Sequence, residues 1–80
     1  MRIDKWLKIT RIIKRRSIAQ LACSENKVLL NDKIAKPSSL IKVGDLVQIT
    51  FGNNSYTYKV LKAELSNPKA NEALNWFEIN

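Results

Sequence analysis

The sequence predicts an α+β fold, with two short N-terminal helices packed on a small, mainly antiparallel sheet and a short C-terminal helix closing the chain. Three observations lead there. Apolar residues recur at helical spacing near the start, the period changes to strand-and-turn alternation from Val28 onward, and Asn67-Pro68 then opens a last helical stripe. Residues 1–80 read as a single domain with no linker, repeat or low-complexity segment.

Each element has its own signal. Ile3, Trp6, Leu7 and Thr10 share one face of a helix over residues 2–10, with Arg2, Lys5 and Lys8 interleaved and Asp4 in the first turn, where a carboxylate favours the helix dipole. Residues 11–16 form a basic junction. Ser17 and Gln20 match a Ser-x-x-Gln capping box, so the second helix is expected to begin near Ile18 and to turn Ile18, Leu21, Ala22 and Cys23 inward. Asn26 is a plausible left-handed stop.

Val28-Leu29-Leu30, Asn31-Asp32 and Lys33-Ile34-Ala35 then read as a tight hairpin, since Asn and Asp tolerate the positive φ that such turns require. A loop at 36–39 and a turn at Val43-Gly44-Asp45 lead to a second hairpin, strands 46–51 and 56–61 around residues 52–55. Asn67 caps a helix with Pro68 at its first position, and Ala70, Ala73, Leu74 and Phe77 make its stripe. Trp6 and Trp76 are read as packing residues. Tyr56 and Tyr58 alternate on one strand face and are expected beneath the last helix.

Function follows from charge. The chain carries 14 Lys and Arg against 7 Asp and Glu, a formal +7. Ten of those cations and only three acids fall in residues 1–36, while residues 37–80 hold four of each, so the entire excess lies in the first 36 residues. Such asymmetry implies an anionic partner, nucleic acid or acidic membrane. Enzymatic readings fail on inventory. There is no His, the carboxylates are scattered, no Gly-rich phosphate loop exists, and a lone Cys23 lacks a base. No cofactor or metal set is present either, and Cys23 reads as a core filler. Charge interrupts the first 13 residues, which excludes a secretory core or membrane span there. The expectation is a cytoplasmic, non-catalytic, monomeric protein.

The candidate binding residues begin with Arg2, Lys5 and Lys8 along the first helix. Arg11, Lys14, Arg15 and Arg16 follow at the junction, where the next helix also offers unbonded backbone N–H groups to phosphate. No aromatic platform for base stacking is evident, so recognition of backbone and shape in folded RNA is favoured.

Several linked motifs carry a resemblance. Arg2-Ile3-Asp4-Lys5-Trp6-Leu7, Arg11 through Arg16-Ser17, Lys27-Val28 through Leu30-Asn31, Lys36-Pro37-Ser38 and Gly44-Asp45 occur in order and at the expected spacing. Over residues 1–51 the chain resembles the S-four RNA-binding domain, and it looks most like stand-alone members, the small ribosome-associated heat-shock proteins and the RqcP group. The family often has Gly in the first hairpin turn, where this chain has Asp32.

The resemblance implies two helices in an L-like arrangement on a small sheet, with residues 1–51 as the core motif and the second hairpin and C-terminal helix over 52–80. It implies RNA binding by Arg2, Asp4, Lys5, Lys8, Arg11, Lys14, Arg15, Arg16, Ser17, Asn31, Lys33, Lys36 and Ser38. The implied partners are large-subunit rRNA and tRNA, on large ribosomal subunits left with an obstructed peptidyl-tRNA, with support of nascent-chain tailing by an RqcH-like factor. For Asp4 three roles stay open: dipole capping, orienting Arg2 or Lys5, or hydrogen bonding to RNA hydroxyls. An alternative function is an accessory RNA-binding module for a separate RNA-modifying enzyme. A membrane-surface role for the basic helix is disfavoured, because Trp6 and Leu7 are needed by the core.

Overall fold

A computed structural model describes residues 1–64 and 66–80. Helices α1 (Ile3–Ile9) and α2 (Arg16–Ser24) precede strands β1 (Val28–Leu30), β2 (Lys33–Ile34), β3 (Leu46–Phe51) and β4 (Asn54–Val60). A single helical turn, α3 (Ala70–Ala73), then passes through a 3-10 turn at Leu74–Trp76 into a fifth strand, β5 (Phe77–Ile79). The strands form one antiparallel sheet in the order β2-β1-β3-β4-β5. This is the expected α+β architecture with the second hairpin near the sheet centre. None of the described helices is long and apolar enough to cross a membrane.

The first expected turn forms as read, while the second is tighter than the expected 52–55: Asn54 and Ser55 already pair in β4, leaving Gly52-Asn53 as the turn. Asn31 (φ 51°) and Asp32 (φ 68°) are both left-handed, as a two-residue primed turn demands, so Asp32 adopts the geometry for which the family often uses Gly. Asn26 (φ 60°) ends the run after α2 as expected.

The core gathers Ile3, Trp6 and Leu7 from α1, Ala19 and Cys23 from α2, Val28, Val47, Ile49 and Val60 from the sheet, and Trp76 from the C-terminal turn. Trp6 is fully buried, and its indole N–H donates to the Lys62 carbonyl at 2.9 Å. That bond satisfies a polar group that would be costly to bury unpaired. It also ties α1 to the chain leaving β4.

Three expectations need correction. First, α2 starts at Arg16, with Arg15 as the extended residue before it, and Ser17 makes no capping bond. Gln20 does not reach back to the backbone; its amide donates to the buried Asp4 carboxylate at 3.0 Å. Backbone donors at an exposed helix start can be hydrated, whereas a buried carboxylate cannot, so the amide goes where its absence costs more.

Second, Ile18 and Leu21 face solvent, 48% and 54% exposed, while the buried face is Ala19, Ala22 and Cys23. Small residues let α2 approach its neighbours closely. Turning Ile18 and Leu21 inward would rotate Gln20 and Arg16 off Asp4.

Third, the C-terminal stripe does not continue as a helix. The helix begins at Ala70 with Lys69, not Asn67, as its N-cap, so Pro68 is not its first position; only Ala73 of α3 is buried, and Leu74 is 67% exposed. The Trp76 carbonyl accepts from Leu61 N at 2.8 Å, and Phe77–Ile79 then pair with Val60–Tyr58. Extending the sheet satisfies the β4 edge, which a helix would leave bare. Tyr58 consequently packs edge-on against Phe77 at 5.5 Å, not beneath a helix, and Tyr56 is exposed beside Phe51.

Burial, reinforced by the negative charge of Asp4, pushes the Cys23 thiol up to about 11. The thiolate is the reactive form. Iodoacetamide at pH 8 should therefore leave Cys23 unmodified in the folded chain and label it promptly in denaturant, as read by intact-mass spectrometry.

Candidate nucleic-acid interface

The site is built around one carboxylate. Asp4 lies in the first turn of α1 with its side chain at 0% exposure. Its oxygens accept from the Lys5 backbone N–H at 2.7 Å, Gln20 Nε2 at 3.0 Å and Arg2 Nη2 at 3.1 Å, with Arg16 Nη2 and Nε each at 3.4 Å. Burial alone would raise the carboxyl's pKa. The hydrogen bonds from Gln20, Arg16 and the Lys5 N–H, with the positive charge of Arg16, outweigh it and hold the group below its ordinary value.

Of the roles open to Asp4, two hold together: it accepts a first-turn N–H, and it orients arginines. These are Arg2 and Arg16, not the Lys5 ammonium. Buried as it is, Asp4 presents no oxygen to RNA. The two arginine side chains remain 46% and 43% exposed while their guanidinium nitrogens contact Asp4. Such pre-set forks suit bidentate contact with phosphate.

The loop at 36–39 completes this end. Ile3 N donates to the Ser39 carbonyl (2.7 Å) and Asp4 N to the Pro37 carbonyl (3.3 Å), so the loop takes up amides at the start of α1. Arg2, Lys36 and Ser38 thereby border a shared groove of about 710 Å3 beside the end of α2. Ser38 is exposed, while the neighbouring Ser39 hydroxyl accepts the Lys36 N–H at 2.9 Å. Arg15 and Ser17 are exposed at the start of α2, and Lys5 is half-buried.

Two residues sit differently from the rest. Lys33 lies on β2, where with Asn31 it lines a shallow depression of about 360 Å3. The Asn31 amide is already occupied: it donates to Asp45 Oδ1 at 3.1 Å and accepts from Leu46 N at 2.9 Å. Asp45 in turn accepts from Lys42 N. Asn31 and Gly44-Asp45, distant in sequence, are thus one structural unit, and Asn31 shapes the hairpin.

Lys8, Arg11 and Lys14 gather elsewhere. With Ile9, Asn67 and Pro68 they line a groove of about 420 Å3 beyond the end of α1. Arg11 holds φ at 64°, with its N–H donating to the Lys8 carbonyl at 3.0 Å as it ends the helix. A left-handed arginine carries strain of roughly 1–2 kcal/mol, which Gly would avoid.

Gln20 and Ser39 were missed by sequence reasoning. Gln20 was visible only as a capping partner; its spacing from Asp4 spans two helices and leaves no local signal.

The family model described as the S4 domain matches residues 1–47. The chain belongs to the S4 domain family. It is 42% identical over 79 residues to the RQC P-site tRNA stabilizing factor of Streptococcus pneumoniae, covering 99% of this chain and 89% of that protein. The protein of the same name from Bacillus subtilis is 37% identical, with 99% and 91% covered. Among solved structures, Vibrio cholerae heat shock protein 15, described as trimeric, superposes with a TM-score of 0.90 at 30% identity, covering all of this chain and 81% of that one.

Two outcomes follow from this geometry. Asp4→Asn should lower stability at pH 7 by about 1–3 kcal/mol in urea melts. Because the folded-state pKa lies below the ordinary carboxylate value of the unfolded chain, this contribution is fully present above that ordinary value and disappears as pH falls through the folded pKa. Wild type and variant should therefore converge in acid. Arg11→Gly should raise stability by about 0.5–1 kcal/mol through relief of the left-handed strain, while weakening RNA binding in filter assays.

Proposed function

We propose that this chain is a non-catalytic RNA-binding factor of ribosome-associated quality control. It binds the large ribosomal subunit, contacting rRNA and the peptidyl-tRNA that obstructs it after translation stalls. The observation that carries this reading is the buried Asp4 fixing the half-exposed side chains of Arg2 and Arg16. It gains support from relatives named for stabilising P-site tRNA in that process.

Arg2, Arg16, Lys36 and Ser38 form one contact edge, with Arg15 and Ser17 beside it and Lys5, Lys8, Arg11 and Lys14 extending the basic surface along α1 and the junction. Lys33 adds a further cation on the first hairpin. The contacts of these groups are to backbone and shape, since they are cations and hydroxyls rather than a stacking platform. Asp4 and Asn31 act from beneath, as positioning residues. By holding tRNA in place the factor supports nascent-chain tailing by an RqcH-like partner. In this reading a single copy is the binding unit, and the work is done in the cytoplasm.

Co-sedimentation with large subunits tests the reading. Wild type should pellet with them at low salt and lose affinity by about a thousandfold or more between 50 and 200 mM salt, as six or more phosphate contacts require. Arg16→Ala should be depleted from the pellet at physiological salt; co-sedimentation at wild-type levels would argue strongly against the assignment.

A further inference from the structure

The basic surface gathers its cations at two places. At the first, Asp4 partly neutralises Arg2 and Arg16. The ion pairs among the described residues involve Arg2, Arg16 and Lys27, and Lys8, Arg11 and Lys14 take part in none of them. These last three cations converge on a concave surface, with the buried Ile9 as one apolar element of its lining. One cation at the end of α1 is accounted for by the helix dipole. Three around one groove, one of them on a strained backbone, are not.

The opposite wall is the informative part. Asn67 and Pro68 come from the segment between β4 and α3, outside the residues 1–47 that match the S4 model. They add what a phosphate site does not need: an exposed amide able to donate and accept, and a half-buried apolar ring. The volume of about 420 Å3 lies within the range of small-ligand pockets, roughly 300–1,000 Å3.

We propose that this groove is a nucleotide pocket. It takes one unpaired ribonucleotide of the bound RNA, with its phosphate among Lys8, Arg11 and Lys14 and its nucleoside against Asn67 and Pro68. Asn67 is then a specificity-determining residue, since amide side chains read the polar edges of bases. The proposal rests on the RNA-binding reading above and deepens it.

The test is titration of the isotopically labelled full chain with AMP and, separately, inorganic phosphate, followed by NMR. AMP should shift the backbone amides of Arg11 and Lys14 and the side-chain amide of Asn67; phosphate should shift the first two alone. Asn67→Ala should weaken AMP binding by about fivefold, the loss expected for one hydrogen bond, and leave phosphate binding unchanged. Lys14→Gln should weaken both.

Identical responses to AMP and phosphate, shifts confined to Arg2 and Arg16, or an Asn67→Ala variant that binds AMP like wild type would each overturn the pocket. Sedimentation of the wild-type chain separates the two readings. If it pellets with large subunits while the groove ignores AMP, only the pocket falls; if it never pellets, the ribosomal function falls.

Discussion

A fully buried carboxylate must be satisfied, and much of this molecule is arranged to satisfy Asp4. Its four kinds of donor come from the residue before α1, the backbone of α1, and two positions one turn apart on α2. The arrangement fixes the rotation of α2 about its own axis. Gln20 and Arg16 must face α1, so Ala19, Ala22 and Cys23 fall against the core and Ile18 and Leu21 are left in solvent. The hydrophobic pattern of α2 alone prefers another rotation, and the cost of an unpaired buried charge overrides it. The same contact converts two flexible arginines into fixed, half-exposed forks. The bonds that hold α2 against α1 are therefore also the ones that position Arg2 and Arg16.

The far side of the domain is closed by tryptophans. Trp6 reaches across to the Lys62 carbonyl, and the Trp76 carbonyl takes amides from Leu61 and Lys62. Both thus fasten the chain where it leaves β4. Once Trp76 is seated, the next three residues lie alongside β4, and strand pairing takes over from helical periodicity. The five-stranded sheet so formed supports the helices from below, while the basic residues cluster on α1, the junction and the first hairpin.

Phosphate recognition needs charges that are held but not neutralised. Asp4 supplies holding at some expense in charge, whereas the groove of Lys8, Arg11 and Lys14 retains its charge and is held by backbone conformation instead. The left-handed Arg11 turns the chain after α1, and its side chain lines the groove together with Lys8 and Lys14. The two clusters thus hold their cations by different physical means.

By itself the sequence determined the fold class, the two N-terminal helices, both hairpins and the Asn31-Asp32 turn, because periodicity and turn chemistry are local. It also placed the charge excess, since charge is additive along the chain, and its linked motifs marked the family. Only the tertiary structure decided where α2 begins and which way it faces, because Gln20 answers to Asp4 and not to its own helix. It decided that Asn31 binds Asp45, that Phe77–Ile79 form a strand, and that Asn67 and Pro68 wall a basic groove. Each of these depends on a partner at least 14 residues away. No local pattern records such a partner, and the energy of burying charge and pairing backbone groups appears only when the chain is closed.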